Sequence, residues 1–162
     1  MRETNERIYF WTARDYFSNF FYSPFKHKGF AFKWSEQAIM WRKAKFFGAD
    51  DIAKKILLAS TPQECKNLGR SKLIPFVQEE WVKVREEIYY EVLMDKFAVP
   101  SFKAKILSTG DKMLVEASPY DKIWGCGYAE DDSRINGSPD TWPGLNLLGK
   151  VLERVREDLR AS

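Results

Sequence analysis

The 162-residue chain has one histidine, two cysteines, no low-complexity stretch and no internal repeat. These shortages exclude a good deal. Cys65 and Cys126 lie far apart without a CxxC partner, and His27 is the only imidazole, so a zinc site would need unusual ligands. We therefore expect no metal and no bound cofactor, and two unpaired thiols in a reducing compartment. No run approaches the roughly 18 apolar residues of a membrane span. The charged start Met1-Arg2-Glu3-Thr4 also lacks the apolar region of a signal peptide. The expectation is a cytoplasmic or nuclear protein with no membrane partner. Charge of one sign is scarce too: 26 Lys+Arg against 23 Asp+Glu leave +3, interspersed rather than gathered. That argues against a general nucleic-acid-binding domain, which would cluster its basic residues and show a steep salt dependence.

Aromatic residues are plentiful. Hydrophobic residues make up 44% and aromatics 15% of the chain, enough to build one domain over residues 1–162. Six Trp, seven Tyr and twelve Phe exceed what a minimal core needs, so some could line a pocket for a flat ligand such as a nucleobase, while most serve a large core.

Ile8–Trp11 and Gly29–Lys33 read as two short strands. Ser35–Phe47 and Asp50–Ala59 have helical periodicity, the second with acidic residues where the helix dipole favours them. Thr61-Pro62-Gln63-Glu64 is a helix start with Thr61 as N-cap, ending near Gly69. Gln78–Phe97 is the longest helix expected, stopped by Pro100, and Ser101–Leu107 follows. Met113–Ala117 reads as a strand, 119–144 as a turn-rich segment of the kind that more often carries function, and Leu145–Leu159 as a last amphipathic helix.

Two places could hold chemistry. At about 100° per residue, Met40, Lys43 and Phe47 lie within about 40° of Glu36, so a carboxylate and an amine share one face two turns apart. The same pattern describes a solvated helix face with an apolar edge. The run Pro119–Gly127 leaves a strand end, with Asp121 as a carboxylate, Trp124 as a stacking wall and glycines that permit close backbone approach or positive φ. It is equally an Asp-led turn with Trp124 filling the core. Arg70 could hold a phosphate as a planar fork or cap helical carbonyls, and Asn146 could cap the last helix or bond a ligand. His27, in a Lys-flanked turn, is expected to be exposed and without a role. Cys126 lacks an activating partner and is expected to be a small turn residue.

Taken in order, the blocks Phe17-Ser18-Asn19-Phe20, Trp34-Ser35-Glu36-Gln37 with Lys43, Leu68-Gly69-Arg70, Trp81 leading to Lys96-Phe97, Leu114–Pro119 through Trp124–Gly127, and Asn146-Leu147-Leu148-Gly149 resemble the YbiA-like, or NADAR, family of N-glycosidases and ADP-ribose-processing proteins. The resemblance runs over about residues 8 to 159. It implies an α+β fold, mainly helical with a few short strands in a single compact domain, and a pocket for a phosphorylated ribose joined to a nitrogenous base. By position it implies Glu36, Lys43 and Asp121 as catalytic residues. Asn19, Trp34, Arg70, Trp81, Trp124, Gly125 and Asn146 become substrate contacts.

The resemblance also divides the expected substrates. Similar proteins either remove ADP-ribose from modified guanine in DNA or RNA, or hydrolyse ribosylamino-pyrimidine phosphates of riboflavin synthesis. Breaking a ribose C1–N bond builds oxocarbenium character at C1, which a carboxylate such as Glu36 stabilises or answers by activating water. Asp121 could orient the water or hold the ribose hydroxyls, and Trp81 and Trp124 could enclose sugar and base. Alternatively, a neutral Lys43 could add to C1 as a Schiff base. A rival from another class is a non-catalytic ADP-ribose or NAD reader, against which the Glu36–Lys43 pair weighs, since diphosphate binding needs no carboxylate under the ribose. The extended 119–144 segment and mild basicity tip the expectation toward the ADP-ribosylated guanine substrate.

Overall fold

The computed structural model describes residues 1–162 and shows six α-helices and five short strands, an α+β fold dominated by helix. Its internal contacts fall into two units, residues 19–99 and residues 1–18 with 100–162.

In the discontinuous unit, β1 (Arg2–Glu3) pairs antiparallel with β2 (Arg7–Phe10), and β2 pairs parallel with β5 (Met113–Glu116). β2 and β5 carry near-continuous apolar residues, and Phe10, Leu114 and Val115 are wholly buried, as expected of strands covered on both faces. Helix α5 (Pro100–Leu107) and helix α6 (Leu147–Arg160) complete this unit. Pro100 both ends the preceding helix and occupies the first turn of α5, where its missing N–H costs nothing.

The α6–β5 join is the tightest in this unit. Asn146 has a left-handed backbone, φ 51°, and its buried amide donates to Leu114 O at 3.0 Å and accepts from Glu116 N at 3.0 Å. One turn on, a Cβ at Gly149 would lie 2.0 Å from Leu114 O, so only glycine lets helix and strand approach this closely.

The continuous unit holds a hairpin, β3 (Phe25–His27) with β4 (Phe30–Phe32), then α1 (Ser35–Phe46), α2 (Asp50–Leu57), α3 (Pro62–Gly69) and α4 (Gln78–Ala98). Thr61 caps α3 as expected, accepting from Glu64 N at 3.1 Å. Strands β1 and β3 were absent from the sequence expectation. β1 spans only two residues and β3 contains Lys26 beside His27, so neither shows an apolar alternation. His27 itself corrects an expectation of exposure: it is 3% exposed, with Nδ1 at 2.6 Å from Asp95 Oδ2 and Nε2 at 2.9 Å from Arg42 Nη1. Since the guanidinium can only donate, the imidazole accepts at Nε2 and carries its proton at Nδ1, donating to Asp95. Burial pushes its pKa down, against the opposing pull of Asp95.

Gly149→Ala is expected to cost about 1–3 kcal/mol, the usual range for forced overpacking, because the added methyl meets a strand carbonyl rather than a movable side chain. Urea unfolding of the variant against wild type measures it, and an unchanged midpoint would show that α6 can slide away from β5.

Candidate active site

The start of α1 is built without the usual cap. Its N-cap residue, Trp34, offers no side-chain acceptor, and Ser35 through Trp41 are all buried, so water cannot serve the first-turn N–H groups. Asn19 supplies the missing acceptors: its carbonyl takes the Glu36 N–H at 3.0 Å, and its Oδ1 takes the Ser35 hydroxyl at 2.7 Å. Lys96, fully buried on α4, donates in turn to Ser35 Oγ at 3.5 Å. Gln37 is likewise satisfied, accepting from Lys33 N at 2.9 Å and donating to Ile56 O at 3.0 Å. The backbone under Glu36 is thus held from both sides.

Glu36 is itself only 8% exposed, and its field reaches two neighbours. It raises the pKa of Lys43, although burial first and the Arg70 charge second outweigh it and leave the Lys43 amine below the ordinary lysine range. The Cys65 thiol is pushed up to about 12, mainly by burial and then by the Glu36 and Glu64 carboxylates, which makes it an inert neighbour rather than a nucleophile. Lys43 lies over two rings, with Nζ 4.7 Å from the Phe76 centroid and 5.7 Å from that of Trp81. Met40 packs against Gly69, where a Cβ would sit 2.1 Å from the Met40 sulfur. The helical face foreseen for Glu36, Met40 and Lys43 therefore turns inward, with Arg70 and Trp81 of the same unit around it.

The discontinuous unit holds Asp121, Trp124, Gly125 and Asn146. Asp121 Oδ1 accepts from Ile123 N and Trp124 N, both at 2.9 Å, an Asp-led turn that leaves Oδ2 outside it. Gly125 is the position of close approach, since a Cβ would meet Asp121 O at 2.7 Å, and Gly127 takes the positive φ, 87°. The carbonyls of Lys122, Ile123, Trp124 and Gly125 accept from Leu145, Leu147, Leu148 and Asn146 respectively, at 2.9–3.1 Å. The opening N–H groups of α6 are thereby consumed by this loop, and both amide atoms of Asn146 by β5. Cys126 is buried in that turn, its thiol facing Tyr128 O at 3.5 Å and its pKa raised chiefly by burial.

Sequence reasoning noted Lys96 only as part of a motif and gave no part to the Asn19–Ser35 bond. No periodicity reveals either, because both depend on which polar groups end up facing each other in the core. The sole available signal was a Ser-Glu-Gln triplet at the start of a helix without a capping side chain before it.

A nearly buried carboxylate and a lysine amine on which its charge acts are carried by one helix of this helix-rich α+β frame. A NADAR domain model matches residues 9–160, and the chain belongs to this family. Among its relatives, the N-glycosidase Npun_R5314 of Nostoc punctiforme is 35% identical over 94% of this chain and 92% of its own. The chloroplastic riboflavin biosynthesis protein PYRR of Zea mays is 31% identical over 92% of this chain, which corresponds to 24% of the maize protein. The NMR structure of the Escherichia coli protein YbiA superposes with a TM-score of 0.78 at 27% identity, covering 99% of this chain and 88% of that one.

Lys96 makes stability depend on pH in a stated direction. Burial lowers its pKa to about 7, whereas the unfolded chain keeps that proton up to the ordinary lysine value. Between these limits the unfolded state binds more protons, so the Lys96 contribution rises with pH, by at most about 1.4 kcal/mol per unit. Lys96→Met is expected to be more stable than wild type at pH 7 and to lose that slope. Denaturant unfolding of both proteins at pH 7, 8.5 and 10 reads it, and parallel pH curves would mean that Lys96 keeps its proton in the fold.

Proposed function

We propose that this chain is an N-glycosidase that hydrolyses a ribose C1–N bond, with Glu36 as the carboxylate that meets the developing charge at C1. The observation that carries the reading is the placing of Glu36: nearly buried, backbone-locked by Asn19, and beside an amine whose pKa is lowered. A carboxylate held in low dielectric acts strongly on a nearby oxocarbenium ion and pays little to reorganise. In the direct route, water bonds to C1 as the C1–N bond breaks, Glu36 takes the water proton, and the departing nitrogen takes a proton from solvent, to which Glu36 later returns its own. In the covalent route, the neutral Lys43 amine bonds to C1 of the ring-opened sugar, the base leaves as its protonated amine, and water then hydrolyses the imine. The lowered Lys43 pKa increases the neutral fraction that this second route requires.

For the substrate we favour ADP-ribose joined to guanine in a nucleic acid. Two cations, Lys43 and Arg70, stand close enough to influence each other, which suits a diphosphate, and Trp81 offers an apolar wall for the sugar or base. The relatives named for riboflavin biosynthesis support a second reading, a ribosylamino-pyrimidine phosphate.

Mass spectrometry of both substrates at equal enzyme tests this. Wild type should release ADP-ribose from an oligonucleotide carrying ADP-ribosylated guanine, and Glu36→Ala should lose about 10²–10⁴ in kcat while still binding. Turnover of the pyrimidine alone would transfer the protein to the metabolite class. Binding without turnover of either would make it a reader. Borohydride added during turnover separates the routes: a sugar adduct on Lys43 establishes the covalent one, and no adduct removes its main support.

A further inference from the structure

Next to the Glu36 cluster, the same unit displays aromatic surface that its own core does not use. Phe46 and Phe76 are 43% and 42% exposed, and Leu73 and Val77 beside Phe76 in sequence are 73% and 48% exposed. The rings form one connected set rather than scattered surface residues. Phe47 lies 5.3 Å from Phe76, 4.8 Å from Phe46 and 6.2 Å from Trp81, and Phe46 lies 6.5 Å from Trp81. Single exposed apolar side chains need no explanation, but a contiguous group of them beside a polar cluster marks a binding surface.

The charges around the rings say what would bind. Lys43 stands over Phe76 and Trp81, and the exposed residues Arg70 and Lys72 open the segment that leads to Phe76. Of the two acids at the start of α4, Glu80 is paired with Lys83 at 3.3 Å, which leaves the balance positive. Flat rings bordered by cations suit a chain of flat, apolar-faced groups joined by anions, which describes an unpaired nucleic-acid strand.

We propose that Phe46, Phe47 and Phe76 form a stacking platform for an unpaired nucleobase of a strand that carries the modified residue, with the exposed Arg70 and Lys72 facing its phosphates. The platform sets preference between polymeric and monomeric substrates, and in that respect it rests on the glycosidase reading above. Its binding function does not.

Two measurements separate these. In the first, fluorescence anisotropy of an unmodified, labelled single-stranded oligonucleotide is titrated with wild type, Phe46→Ala, Phe76→Ala and Phe76→Trp at fixed salt. The alanine variants should bind about tenfold more weakly, and Phe76→Trp should restore binding, since any large ring can stack. In the second, kcat/KM is measured for ADP-ribosylated guanine in the oligonucleotide and as the mononucleoside. The alanine variants should lose about tenfold more on the oligonucleotide, mainly in KM. Equal losses on both substrates would overturn the proposal and leave Phe76 as a support for Lys43, and unchanged anisotropy in the alanine variants would also overturn it. If neither substrate turns over in wild type, the glycosidase reading falls while the anisotropy series still decides the platform.

Discussion

The hydrogen bonds from the start of α1 to Asn19 are the constraint on which the candidate site depends. A helix that begins inside the protein brings unsatisfied N–H groups with it, each costing about 1–3 kcal/mol if left alone. The Trp34 carbonyl takes the Gln37 and Ala38 N–H groups, at 3.1 and 3.4 Å, and the Glu36 N–H is left to an acceptor from outside the helix. Asn19, 17 positions before Glu36 in the chain, therefore ties the segment preceding the hairpin to the helix by its carbonyl and its side chain. Asn19, Ser35 and Lys96 are linked by hydrogen bonds around the start of α1, while Gln37 has separate partners in Lys33 N and Ile56 O. Loss of the Asn19 side chain would take from the Ser35 hydroxyl its acceptor.

Much of the frame was legible because its signals are local. The six helices follow periodicity and punctuation such as Thr61-Pro62 and Pro100, with ends displaced by a residue or two, which is normal for frayed termini. The Glu36–Met40–Lys43 alignment needed nothing beyond helical geometry. What geometry could not tell was whether that face meets water or protein. α1 illustrates why: three polar residues open it, a pattern that suggests solvent, yet all three are buried because their partners come from Asn19, Lys33 and Ile56. His27 failed for the same reason. A histidine between two lysines looks exposed until Arg42 and Asp95, from two different helices, close on both of its nitrogens.

The 119–144 segment shows a different limit. Its composition announces irregular structure, and it contains only two short 3₁₀ turns, at Ser133–Asn136 and Pro139–Thr141. Composition does not reveal that four successive carbonyls, from Lys122 to Gly125, receive the N–H groups of Leu145 to Leu148, the last two of which open α6. That pairing explains the glycines better than flexibility does. Gly144 lies so close to Gly125 that a Cβ would come within 2.3 Å of its carbonyl oxygen, and Gly125 in turn crowds Asp121 O. The loop is long but stitched, and the orientation of Asp121 follows from its own turn rather than from a ligand.

The electrostatics around Lys43 bring these constraints to bear on chemistry. A lysine in water is almost wholly protonated and cannot act as a nucleophile, while one buried without any anion becomes neutral but has nothing to orient it. Here burial and Arg70 favour the neutral amine, and Glu36 pulls the other way. Such a balance leaves the amine easier to deprotonate than an ordinary lysine, and it depends on Glu36 staying where Asn19 holds it.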